Sequence, residues 1–175
     1  MILRHVEEKA EKLLRDTDCW QVPVDLQAIA KSLSVKLDEI DLDDEVSGLF
    51  VIKDKTERIG YNKWHHEHRQ RFTIAHELGH CVLHAKSALL FVDKREKILY
   101  RNLDSSSGEH QKEREANAFA AALLMPKKLL LEEINSYNEN EGESLTDYLV
   151  RRFKVSERAM TIRLTNLGLI DYGLY

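Results

Sequence analysis

The sequence predicts an α+β fold that is mainly helical, with a small antiparallel sheet packed on one long central helix. Three observations carry that expectation. Apolar residues recur at helical spacing over most of the 175 positions, the breakers are few at 7 glycines and 2 prolines, and β-prone runs are confined to residues 35–61. Hydrophobic residues make up 43% and charged residues 32%, a balance that lets the chain bury a core and excludes disordered or fibrous classes. Lys and Arg number 26 against 30 Asp and Glu, so the global basic excess of a dedicated nucleic-acid binder is missing. No run approaches the ~18 apolar residues of a membrane span. The opening MILRHVEEKAEKLL carries acids where a leader peptide needs an apolar stretch. Cys19 and Cys81 are too few for a disulfide framework or a cysteine zinc finger, and a reducing cytoplasm is the expected compartment.

Each element has its own local reason. Leu3, Val6, Ala10, Leu13 and Leu14 form one stripe, which predicts a helix over residues 2–15. Asp25 stands as a cap before Leu26, Ile29, Ala30 and Leu33, a second and shorter helix. Val35–Leu37, Gly48–Ile52 and Arg58–Tyr61 are β-prone runs separated by acidic or Lys-Asp-Lys turns. Helical spacing returns over residues 64–85, with Phe72, Ala75, Leu78, Val82 and Leu83 on the apolar side. Residues 93–112 are polar, and the turn formers Asp104-Ser105-Ser106-Ser107-Gly108 close a long loop before a helix expected over residues 109–124. Pro126 ends that helix and suits the first turn of another, residues 127–137. Ser144 with Asp147 resembles a capping box opening a helix through Phe153, and Ser156 caps a last one through Asn166, which Gly168 stops. Residues 1–142 read as the main domain and 143–175 as a helical extension packed on it.

Six of the eight histidines lie between His65 and His84, and among them is the pentad His76-Glu77-Leu78-Gly79-His80. Side chains at i and i+4 on a helix lie about 40° apart around the axis. Two imidazoles so placed can converge on one ion at Zn–N distances of ~2.0–2.1 Å. Glu77, between them, suits a base that takes a proton from a water acidified by zinc. A catalytic zinc needs a third protein donor. Glu113 and Glu115 point about 200° apart on a helix, so at most one faces the ion. Glu113 shares its stripe with Ala116, Asn117, Ala120 and Leu124, the small and apolar side, and is chosen on that ground. Asn117, one turn on, can hold the second ring nitrogen of a ligating histidine. His84 lies a turn too far along to share the ion with both His76 and His80, while His65, His66 and His68 read as solvated positions. Cys81 points away from His80 and reads as a buried small hydrophobe, and Gly79 as room for a neighbouring backbone.

The stretch Arg69-Gln70-Arg71-Phe72-Thr73-Ile74-Ala75-His76-Glu77-Leu78-Gly79-His80, followed by Leu83-His84, resembles the ImmA/IrrE metallopeptidases. Glu113-Arg114-Glu115-Ala116-Asn117-Ala118-Phe119-Ala120 through Leu123-Leu124-Met125-Pro126 is similar to that family's second signature, as are Pro23-Val24-Asp25, Ser47-Gly48 and Val155-Ser156 with Arg163-Leu164 and Leu167-Gly168-Leu169-Ile170. The resemblance implies a zincin-like domain in which His76, His80 and Glu113 bind zinc and Glu77 is the base. It further implies an enzyme that cleaves a helix-turn-helix repressor to release genes of a stress response or a mobile element.

Two other readings compete. Residues 145–166 also read as a helix-turn-helix-like pair with Arg151, Arg152, Lys154, Arg158 and Arg163 as a basic face, which would suit DNA. Against direct DNA contact, Tyr148, Leu149, Phe153, Met160, Leu164 and Leu167 supply a side for packing on the domain. A catalytically silent, zinc-stabilised module could use the same three ligands, although it has no need of Glu77. For the substrate, Gly48, Leu49 and Phe50 are expected on an exposed edge strand able to take up an extended peptide. Tyr61, Tyr100, His110 and Arg71 remain open as stabilisers of the oxyanion.

Overall fold

The fold is built from a stack of helices with a three-stranded sheet to one side, in a computed structural model that describes residues 3–53, 56–88, 107–138 and 142–170. Helix α1, Arg4–Asp16, buries Val6, Ala10, Leu13 and Leu14, while Arg4–Glu8, Glu11–Arg15 and Lys12–Asp16 pair along its exposed face. Helix α2, Leu26–Ser32, opens where the Asp25 side chain accepts a hydrogen bond from the Ala28 amide at 3.0 Å, and it buries Leu26, Ile29 and Ala30.

Strands β1 (Lys36–Ile40), β2 (Gly48–Lys53) and β3 (Thr56–Asn62) follow, in the spatial order β1-β3-β2. The sheet is mixed, which corrects the antiparallel expectation: β2 runs antiparallel to β3, but β1 runs parallel to it, with Leu37 opposite Ile59. The connection after Ile40 crosses to the far edge before β2 begins, leaving the middle to β3. Asn62, fully buried, holds that crossing by donating from Nδ2 to the carbonyls of Leu42, Asp43 and Val46 at 3.0–3.1 Å.

Helix α3, Glu67–Ala88, begins three residues after Trp64, whose exposed indole donates to Asp41 at 2.8 Å. Helix α4, Ser107–Leu124, begins two residues before the expected start and takes in Ser107 and Gly108, the last of the expected turn formers. The remainder of that loop up to residue 106 lies outside the described residues. Helices α5 (Lys127–Ser136), α6 (Leu145–Phe153) and α7 (Glu157–Asn166) complete the chain, with Pro126, Ser144 and Ser156 at their N-caps. Ser144 and Ser156 each accept from the amide three residues on, and Lys154, at φ +51°, turns the chain between α6 and α7. Leu78 of α3, Phe119 and Leu123 of α4, Leu149 and Phe153 of α6, and Met160 of α7 all belong to one buried cluster, together with Leu14, Ile29 and Ile59. Burying each of these large side chains stabilises the fold by ~1.5–3 kcal/mol.

Candidate metal centre

Among the described residues, helices α3 and α4 make the most extensive contact between elements, and Gly79 lies where they approach closely. A methyl group at Gly79 would lie 3.1 Å from Phe119 Cδ1 and 3.3 Å from the Ala116 backbone. That approach brings His76 and His80 of α3 against Glu113 of α4. His76 is buried at 2% exposure, and its Nε2 lies 3.0 Å from His80 Nε2. Glu113 reaches both histidines, Oε2 to His76 Nε2 at 3.4 Å and Oε1 to His80 Nε2 at 3.1 Å. Asn117 Oδ1 lies 3.0 Å from His76 Nδ1 and can accept its proton, which leaves the Nε2 lone pair aimed at the other two donors. The three ligand atoms all lie within 4.8 Å of one another. Two imidazole nitrogens facing each other beside a carboxylate are a donor set suited to one divalent cation with positions left open, so these residues fit zinc.

Glu77 precedes the second histidine by three residues on the same helix and is partly exposed. Glu115 turns the other way: Gln111 Nε2 donates to it at 2.9 Å, and His5 and His84 lie 4.0 and 3.9 Å off. His84 meets the Lys112 carbonyl at 3.3 Å and stays outside the three-residue group, with burial holding its pKa below the usual histidine value. Burial pushes the Cys81 thiol far up, so it is no thiolate. His65 Nε2 contacts the Asp44 carbonyl at 3.0 Å, and His66 and His68 meet edge to face.

Of the four oxyanion candidates, Arg71 donates to the Val24 carbonyl at 3.0 Å and lines a separate cavity of about 540 Å³ with Tyr61. His110 is exposed on α4, and Tyr100 lies outside the described residues. Strand β2 pairs with β3 alone among the described residues and so offers a free edge. Gly48 has a tighter reason than an uncovered backbone: a side chain there would stand 2.4 Å from Thr73 Cγ2 and 2.8 Å from the Gly60 carbonyl. Four of the five C-terminal bases pair with acids, Arg151 with Glu143, Arg152 with Glu133, Lys154 with Glu67 and Arg163 with Glu7. Sequence reasoning overlooked Phe72 and Arg114 as residues that, with Asn117, line a groove beside the centre's helices. Their signal was positional, one turn before His76 and one residue after Glu113.

A pair of histidines one turn apart, facing a glutamate on the neighbouring helix, is a donor set that could hold a metal ion. Residues 30–165 match the peptidase family described as the IrrE N-terminal-like domain, and the chain belongs to that family. The resemblance expected from the two motifs is thereby borne out. No curated protein matches the chain. Among solved structures, a Mycobacterium tuberculosis transcriptional regulator is similar at TM-score 0.65 and 18% identity, over 94% of this chain and 47% of the regulator. The chain thus spans about half of that regulator's length, and the likeness is one of fold. No described helix is long and apolar enough to cross a membrane.

Proposed function

We propose that the chain is a zinc-dependent endopeptidase that cleaves a helix-turn-helix repressor and so relieves repression in the cytoplasm. The observation that carries this reading is the convergence of His76, His80 and Glu113 on two packed helices, in a chain of a peptidase family. These three residues would hold the ion, and zinc in such a site supplies Lewis acidity that polarises a carbonyl and acidifies water. Glu77 takes one proton from the attacking water on its carboxylate and then delivers it to the nitrogen of the departing amine, so the base is restored at the end of each turnover. Asn117 keeps the His76 ring in one tautomer and orientation. The free edge of β2 at Gly48, Leu49 and Phe50 takes up the substrate as an added strand, in keeping with its single pairing to β3.

A repressor as substrate is supported by the family resemblance, and a solved neighbour is itself described as a transcriptional regulator. The paired bases of α6 and α7 favour packing over DNA contact for the C-terminal helices. The test separates an enzyme from a silent zinc module. Glu77→Gln should retain about one zinc per chain and native circular dichroism while cleavage of a helix-turn-helix protein encoded beside it falls ~10²–10⁴-fold. Undiminished cleavage by the variant would remove Glu77 from the mechanism, and full zinc retention by His76→Ala and Glu113→Ala under a competing chelator would remove the ligand assignment.

A further inference from the structure

The α3 face that carries His76 continues one turn back to Phe72, and the α4 face that carries Asn117 continues one turn on to Ala121. Both run into a groove of about 810 Å³ that α7 walls on a third side. Asn117 belongs to both places, since it lines the groove and its carboxamide meets His76. The groove therefore begins where the metal centre ends. Its floor is apolar, made by Phe72, Ala118, Ala121 and Ile162, and Ile162 is 43% exposed there. Its rim is cationic. Arg114 and Arg158 are both exposed, and neither pairs with a carboxylate among the described residues. The one acid in the lining, Glu7, is occupied by Arg163. Arg69, also in the lining, donates to Ser47 Oγ at 2.9 Å and so links the groove to the start of β2.

We infer that this groove is a specificity subsite for the peptide substrate, taking a segment in which a bulky apolar side chain is flanked by Asp or Glu. The inference rests on the peptidase reading above and names its substrate class. One helical turn is ~5.4 Å and an extended chain advances ~3.3–3.6 Å per residue, which places the near end of the segment about two residues from the scissile bond. The apolar side chain displaces water from the floor, and the carboxylates meet Arg114 and Arg158, whose planar guanidinium forks match carboxylate geometry. A nucleic acid would leave that floor wet and would meet few cations among the described lining residues, Arg114 and Arg158 with Arg69 bonded to Ser47.

The test uses the full-length Glu77→Gln chain and two short fluorescent peptide pools that share Leu, Ile and Phe positions, flanked by Asp/Glu in one and by Lys/Arg in the other. Fluorescence anisotropy should show the acidic pool binding about tenfold more tightly. Arg114→Glu with Arg158→Glu should reverse that preference, and Ile162→Asp should weaken both pools, with zinc content and circular dichroism unchanged. Equal binding of the two pools, an acidic preference that survives the double reversal, or stronger competition from a short DNA duplex than from the peptides would overturn the inference. Mapping the cuts made by wild type keeps the two readings apart. Preferential binding of acidic peptides with no cut in either pool would leave the subsite standing and sink the peptidase. Cuts without acidic residues nearby would do the reverse.

Discussion

His76 has a partner on each edge of its ring. Nδ1 meets the Asn117 carboxamide oxygen at 3.0 Å, while Nε2 faces His80 at 3.0 Å and Glu113 at 3.4 Å. Because the ring is buried, no water stands ready to replace a lost partner, and its orientation depends on that amide. Asn117→Leu should therefore lower zinc affinity ~10–100-fold, as lost outer contacts to ligating histidines do. Asn117→Asp, which keeps the acceptor, should retain most of it. Competition with a chelator measures both variants, and equal affinity for Asn117→Leu and wild type would show that the contact positions nothing.

Between elements, the spacing of α3 and α4 is set at Gly79, where the neighbouring backbone leaves 3.3 Å to a would-be Cβ. Gly79→Val should push the helices apart, so both the melting temperature and zinc affinity should fall, while a variant at an exposed α3 position such as Arg69 should leave both near wild type. A second contact, between α5 and α6, is sensitive to pH. Arg152 donates to Glu133 at 2.6 and 2.8 Å and the Tyr148 hydroxyl donates at 2.6 Å, and these bonds, the Arg152 one foremost, hold the carboxyl below its ordinary range. A carboxyl lowered in the folded state adds stability above its unfolded pKa of ~4.3 and loses that contribution as pH falls through the lower, folded value. With Arg152 more than a third exposed, the contribution is about 1 kcal/mol. Melting curves of wild type and Glu133→Gln should then differ near neutral pH and converge as the pH falls below the ordinary carboxylate range.

For the whole molecule, one buried cation ties the two ends of the described chain together. Arg163 of α7, 4% exposed, donates to the Met125 carbonyl at 3.0 Å and to both oxygens of Glu7 in α1 at 2.5 and 2.8 Å. Glu7→Ala leaves that guanidinium buried without a counter-charge. Breaking one side of a buried pair costs ~3–5 kcal/mol, and the partial exposure of Glu7 sets this one at the low end, about 3 kcal/mol. At ~2–4 °C per kcal/mol for a chain of this size, the melting temperature should fall by roughly 6–12 °C. The double variant Glu7→Leu, Arg163→Met removes the stranded charge and should recover part of the loss. A single variant as stable as wild type would show that the pair does not fasten α7 to α1.

What the sequence determined by itself lies within a few residues along the chain. Asp25, Ser144 and Ser156 mark helix starts because a cap bonds an amide three residues away. Helical phase separates Glu113 from Glu115, and the structure turns the first toward the histidines and the second toward Gln111, because both positions are read from one 3.6-residue period. Tertiary structure decided what depends on partners far apart in sequence. β-prone runs announce strands but carry no record of their neighbours, so the parallel pairing of β1 with β3 was hidden. The basic residues of α6 and α7 look alike in sequence, yet Arg163 finds its carboxylate 156 positions away and Arg158 finds none among the described residues. Gly48 reads as a bare strand start until Thr73 is packed against it. In each case the deciding energy is a contact across folded space, between residues whose local sequence gives no sign of the other.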